Sequence, residues 1–136
     1  MTKSKLPVMK KEIFIIDDDP IYRLIVSKMI KNRNSSMGIC ECDNGEIGLA
    51  ELKKRDGSDH RIVILLDINM PVVNGWSFLE ELEKNKFYDL PHLDIYMVSS
   101  SIDESDKVKA KKNSFIKGFY HKPLGSEDFE LFIGED

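Results

Sequence analysis

The stretch Ile62-Val63-Ile64-Leu65-Leu66-Asp67-Ile68-Asn69-Met70-Pro71 decides how this chain folds. An unbroken aliphatic run rich in β-branched residues reads as a strand buried on both faces, of the kind found in the middle of a parallel sheet. Asp67 then stands at the carboxyl end of that strand. In open α/β sheets, that edge is where ligands and chemistry gather.

Working outward, Ile13-Phe14-Ile15-Ile16 is a second apolar run, stopped by Asp17-Asp18-Asp19-Pro20. Proline is tolerated at the first helical position and an aspartate before it can cap, so a helix starts at once. Ile21, Leu24, Ile25, Lys28 and Met29 keep helical spacing and predict the buried face of that helix. Ile39-Cys40-Glu41-Cys42 alternates and reads as a half-exposed edge strand, followed by a turn at Asp43-Asn44-Gly45 and a helix from about Glu46 to Lys54. Arg55 to Arg61 is a polar loop. After Asn74-Gly75, the residues Trp76, Leu79 and Leu82 mark a third helix, and Leu93 to Val98 a fourth strand ending at Ser99-Ser100-Ser101. Asp103 to Asn113 offers only Val108 and Ala110 as inward residues, which predicts a weakly held helix. Phe119-Tyr120 marks a fifth strand, closed by His121-Lys122-Pro123, and Ser126 is placed to cap a last helix. Strand and helix thus alternate, which implies an α/β fold: a flavodoxin-like, doubly wound, five-stranded parallel sheet in the order 2-1-3-4-5, with five helices.

The chain has 136 residues, 41% hydrophobic and 32% charged, which fits one globular domain with a real core. Residues 1–11 read as a flexible basic tail and 12–136 as the domain, with no output domain. The apolar runs are too short to span a membrane and no signal peptide opens the chain, so a cytoplasmic protein is expected. A net charge of -4 argues against a nucleic-acid partner. The lysines from Lys107 to Lys117 read as a solvated helix face. Cys40 and Cys42 fit neither a zinc site nor a disulfide framework and are expected as packed thiols.

In a parallel sheet, Asp17, Asp18, Asp67, Ser99 and Lys122 share one edge. Clustered carboxylates raise each other's pKa unless a cation sits among them, and Mg²⁺ suits a few carboxylates together with waters and a phosphate. Lys122 supplies a fixed positive charge for a phosphate oxygen, and the Ser99 hydroxyl a hydrogen bond. Asp67 is a candidate nucleophile, because carboxylates attack phosphorus to give aspartyl phosphates.

Asp17-Asp18, Asp67 within Leu-Asp-Ile-Asn-Met-Pro-Val-Val-Asn-Gly, Ser99 and Lys122-Pro123 resemble the signature of response-regulator receiver domains of two-component signalling, over Glu12 to Ile133. The resemblance implies a phosphoacceptor at Asp67, supplied by a histidine kinase or phosphotransfer protein. It implies Mg²⁺ held by Asp17, Asp18, Asp67 and the Asn69 backbone carbonyl. It makes Lys122 the phosphoryl partner, Ser99 the switch hydroxyl and Pro123 a candidate for a cis peptide bond, whose isomer the sequence leaves open. Phe119 is similar to the family's switch aromatic and equally suits a plain core, while Tyr120 should face the other side of the sheet. Asp19 reads as a helix cap rather than a metal ligand, and His60, His92 and His121 match no role.

The sequence departs from the family pattern at Ser99, where threonine is commoner, and at Ser100, where a small residue is usual. With Ser101 beyond them, the lifetime of the phosphorylated state stays open. The last helix is short, which argues against pairing through the fourth and fifth helices. The expected function is that of a stand-alone response regulator that changes its surface for an unknown downstream protein, and not that of an enzyme. A phosphohydrolase of the haloacid-dehalogenase type would need an Asp-x-Asp-x-Thr pattern after the first strand, which Asp17-Asp18-Asp19-Pro20-Ile21 lacks. A docking module without phosphoryl chemistry would gain nothing from clustered carboxylates that cost stability.

Overall fold

Hydrophobic runs and helical stripes alternate along the chain as ten elements: β1 (Lys11–Ile16), α1 (Pro20–Arg33), β2 (Gly38–Cys42), α2 (Gly45–Lys54), β3 (Arg61–Asp67), α3 (Gly75–Lys84), β4 (His92–Ser99), α4 (Glu104–Lys111), β5 (Ile116–His121) and α5 (Ser126–Ile133). The structure, a computed structural model, describes residues 11–55, 61–70, 74–84, 92–101 and 103–133. The strands form one parallel five-stranded sheet in the expected order β2-β1-β3-β4-β5. β3 lies at its centre, and Ile62 through Asp67 are all buried.

Because side chains alternate across a strand, each strand feeds two cores. Phe14, Ile16, Ile64 and Leu66 face α2 and α3, where Leu52, Phe78 and Leu82 are fully buried. Ile13, Ile15, Val63 and Leu65 face α1 and α5, against Val26, Ile30, Phe129 and Phe132. Each such side chain contributes roughly 1.5–3 kcal/mol through removal from water, and the two layers together fix the sheet. Cys40 and Cys42 both point to the first core, with their sulfurs 3.8 Å apart and reduced.

Several expectations change. Lys11, assigned to the tail, is the first residue of β1: it pairs with Arg61, and its ammonium donates to the Ile133 carbonyl. Residues 1–10 and His60 lie outside the described residues. In α1 the buried residues are Val26 and Ile30, flanked by half-buried Tyr22 and Met29. Ile21, Leu24 and Ile25, expected inside, are 68%, 52% and 53% exposed. The helix carries two apolar stripes, and the Asp19 cap, accepting from the Ile21 and Tyr22 amides at 3.0 and 3.3 Å, starts it in the phase that turns Tyr22, Val26 and Ile30 to the sheet. In α4 Val108 is 53% exposed and no residue is buried, so the helix is held even more weakly than expected. α5 begins at Ser126 itself, and its start is secured by Asp128, which accepts from the Gly125 amide at 2.8 Å.

The start of α3 is set by close packing beneath the central strand. Asn74 caps it through the Ser77 amide at 2.9 Å, and the Gly75 amide donates to the Ile68 carbonyl at 3.0 Å. A Cβ on Gly75 would stand 2.9 Å from the Asp67 carbonyl oxygen, so glycine is what lets the helix begin directly behind that strand end.

Candidate functional site

The ladder of the sheet carries each functional residue to the same edge. Past the strand ends it continues through the Asp17 amide to the Cys42 carbonyl (3.1 Å), Ile68 to Val98 (3.3 Å) and Lys122 to Ser99 (3.0 Å). These bonds fix Asp17, Asp67, Ser99 and Lys122 side by side. Among the described residues, the buried polar side chains are Asp17, Asp67 and Ser99, at 2%, 5% and 0% exposure. All three stand here. Burial of polar groups is costly unless something compensates, so their concentration at one edge marks a site rather than a packing accident.

Carboxylate oxygens of Asp17, Asp18 and Asp67 lie within 4.8 Å of one another. Lys122 reaches across from the end of β5, its ammonium 2.8 Å from Asp17 Oδ2 and 3.6 Å from Asp67 Oδ2. The Lys122–Pro123 peptide bond is cis. Burial and the neighbouring charge of Asp17 push the Asp67 carboxyl up to about 6, against the opposing pull of Lys122 and of the Asn69 amide, which donates to Asp67 Oδ1 at 3.2 Å. Burial alone would lower the Lys122 ammonium, but its hydrogen bond to Asp17 and the charges of Asp17 and Asp67 hold it above its ordinary value. Three carboxylates thus share this edge with the one ammonium of Lys122. A hard, oxygen-only donor set with surplus negative charge fits Mg²⁺.

Ser99 Oγ donates to the Ser101 carbonyl at 2.7 Å and accepts from Asn69 Nδ2 and the Ser101 amide, each at 3.1 Å. Asn69 thus touches both Asp67 and Ser99. Asp19 is a cap, as expected, and its own amide donates to Asp17 Oδ1 at 2.9 Å. Phe119 packs on the first core with its ring 6.3 Å from that of Trp76, and Tyr120 faces the second. His121 is exposed.

Two residues of α1 were not anticipated. The Arg23 guanidinium donates to the Asp17 carbonyl at 2.6 Å and pairs with Glu41 at 3.3 Å and Asp43 at 2.9 Å, tying the acidic loop to the end of β2. The Tyr22 ring lies under the Lys122 ammonium, 4.3 Å from the ring centroid. Helical spacing of three and four residues from the Asp19 cap could have put both near the site, yet nothing in the sequence says which face of α1 turns inward.

A family model for the response regulator receiver domain matches residues 13–133. The chain is 32% identical over 127 residues to the sensor histidine kinase CheAY of Helicobacter pylori, covering 93% of this chain and 15% of that protein. It is 24% identical over 124 residues to the chemotaxis protein CheY1 of Helicobacter pylori, covering 90% of this chain and 97% of that protein. The chain spans between 15% and 50% of the length of the first three curated relatives it matches. A solved two-component response regulator from Cytophaga hutchinsonii superposes with a TM-score of 0.82 at 22% identity, over 93% of this chain and 96% of that one, a likeness of fold. No helix among the described residues is long and apolar enough to cross a membrane.

Proposed function

The chain belongs to the response regulator receiver domains, the signalling family of two-component systems whose members work with histidine kinases or phosphotransfer proteins, and from that premise we propose that Asp67 accepts a phosphoryl group from the phosphohistidine of such a partner. The observation that carries this reading is the ammonium of Lys122 standing between Asp17 and Asp67, 2.8 and 3.6 Å from their oxygens, at a buried strand end. A carboxylate raised to about 6 is still ionised at neutral pH and able to act as a nucleophile. An Asp67 oxygen bonds to phosphorus as the bond from phosphorus to the donor imidazole nitrogen breaks, and the imidazole takes up a proton. Lys122 then loses a carboxylate partner at Asp67 and gains phosphoryl oxygens in the same place.

Asp17, Asp18 and Asp67, with the Asn69 carbonyl, would hold Mg²⁺. When bound, the ion supplies the positive charge that neutralises the phosphoryl oxygens during transfer. Ser99 turns its hydroxyl to the new phosphoryl group only by giving up its bond to the Ser101 carbonyl, which links the site to the start of α4. Trp76 packs near Phe119 on one side and contacts Asp106 and Lys109 of α4 on the other, so a changed α4 surface is what a downstream partner would read. Ile21, Leu24 and Ile25 stand exposed on the helix that follows the acidic loop and offer the phosphodonor an apolar face. A cytoplasmic location fits this reading, since the histidine kinases and phosphotransfer proteins of two-component systems present their phosphohistidine there.

The test is labelling by acetyl phosphate with Mg²⁺, followed by intact mass. Wild type should take up one phosphoryl group, and Asp67→Asn none. Undiminished labelling of the variant would overturn the assignment.

A further inference from the structure

Lys122 leaves the end of β5, yet its ammonium sits beside Asp17 at the end of β1, on the far side of β4 and β3. A lysine stem has four rotatable carbons and does not hold such a reach by itself. The two carboxylates attract the ammonium from one side. On the other lies Tyr22, its ring centroid 4.3 Å from Nζ. That distance places the ammonium over the negative face of the ring, within the range in which a cation and an aromatic face attract.

The ring is fixed in turn. The Tyr22 amide is capped by Asp19 Oδ1 at 3.3 Å, and its side chain packs into the core that α1 and α5 share with the sheet. Its hydroxyl is buried with no hydrogen-bond partner. A buried hydroxyl without a partner costs stability, so the hydroxyl is not what recommends a tyrosine here. What this position uses is the flat face.

We propose that Tyr22 is a positioning residue for the phosphoryl chemistry of Asp67: its ring face holds the Lys122 ammonium between Asp17 and Asp67, in the place a phosphoryl oxygen will need it. The inference rests on the reading of Asp67 as phosphoacceptor. Tyr22 touches no reacting atom and acts through Lys122 alone. Substitution by leucine keeps an apolar, though smaller, side chain in the core and removes the face, and substitution by phenylalanine keeps the face and removes the unpartnered hydroxyl.

The test compares wild type, Tyr22→Leu and Tyr22→Phe in three readings: the proton shift of the Lys122 ε-methylene in the Mg²⁺-free protein, the affinity for beryllofluoride in Mg²⁺, and the melting temperature. The ring should shift the ε-methylene upfield in wild type and Tyr22→Phe, and the shift should vanish in Tyr22→Leu. Beryllofluoride binding should weaken roughly tenfold in Tyr22→Leu and stay within about twofold in Tyr22→Phe. Tyr22→Phe should melt no lower than wild type. In a Lys122→Ala background the leucine substitution should have no further effect on beryllofluoride binding, because its whole effect passes through the lysine. Equal binding by Tyr22→Leu and wild type would overturn the proposal, and so would a loss in Tyr22→Phe as large as in Tyr22→Leu, which would hand the role to the hydroxyl. Failure of wild type itself to bind beryllofluoride would instead overturn the phosphoacceptor reading.

Discussion

The carboxyl edge of the sheet and helix α4 are neighbours in one small domain and are built on opposite terms. At the edge, Asp17, Asp67 and Ser99 are buried, and every backbone that carries them is tied into the sheet. α4 buries no residue at all. It is shaped by a reciprocal cap between Asp103 and Asp106 and held to the body by the Trp76 indole, which donates to Asp106 Oδ1 at 3.1 Å and lies 5.4 Å beneath the Lys109 ammonium. Chemistry needs fixed geometry and a readable switch needs an element that moves at little cost. On the proposed reading, the two halves of the job fall to a buried strand edge and to the one described helix that buries no residue.

The difference is largest in core packing. Ile64→Ala, in the middle of β3 with no exposure, should lower stability by about 3 kcal/mol in urea unfolding, while losing no more than its share of α4 structure. A loss under about 1 kcal/mol there would mean the edge is not rigidly supported.

Next comes Asp67→Asn without Mg²⁺. Asp67 titrates in the folded protein at about 6, above the ordinary 3.8. The folded state therefore binds its proton to higher pH than the unfolded state does, and stability falls as pH rises from about 4 to 6 and does not return above it. The ionised carboxylate thus destabilises the Mg²⁺-free fold at neutral pH, and the asparagine variant should be more stable by about 2 kcal/mol at pH 7.5 but by little at pH 4. A variant less stable at pH 7.5 would show that Lys122 outweighs the burial of the acid. On the same ground, the affinity for Mg²⁺, followed by calorimetry, should fall as pH drops below about 6.

Trp76→Phe is smaller and local. It keeps most of the ring and removes the bond to Asp106, so α4 amides should exchange with solvent faster by an amount equivalent to about 1 kcal/mol, with β1 and β3 amides unchanged. Faster exchange in the strands would mean that α4 is part of the rigid body. Val108→Ala should be smallest, within about 0.5 kcal/mol, since that side chain is half exposed.

The same contrast governs what could be read in the sequence. The strands, and the placing of Asp17, Asp18, Asp67, Ser99 and Lys122 at their ends, followed from apolar runs that end in polar residues, a pattern local to each strand, while the sheet order followed from the alternation of strand and helix in a flavodoxin-like fold. The capping role of Asp19 was legible for the same reason. The inward face of α1 was not, because Ile21-Leu24-Ile25 and Tyr22-Val26-Ile30 both fit the helical period and only the cap and the sheet choose between them. The contact of Tyr22 with Lys122, the clamp of Arg23 on the acidic loop and the tether from Trp76 to Asp106 join residues 100, 6 and 30 positions apart, across elements whose mutual placement no local pattern states. Val108 was expected inward because α4 has so few apolar residues; the helix is docked from outside, by an indole on α3.

Trp76 links both regions, since its ring touches Phe119 on one side and α4 on the other. Its fluorescence, titrated first with Mg²⁺ and then with beryllofluoride in wild type and Asp67→Asn, is therefore the most direct test that a rigid site drives a loosely held helix. The expected result is a change in wild type on adding beryllofluoride and none in the variant. A wild-type protein that binds beryllofluoride by calorimetry while Trp76 stays silent would contradict the coupling of Asp67 to α4.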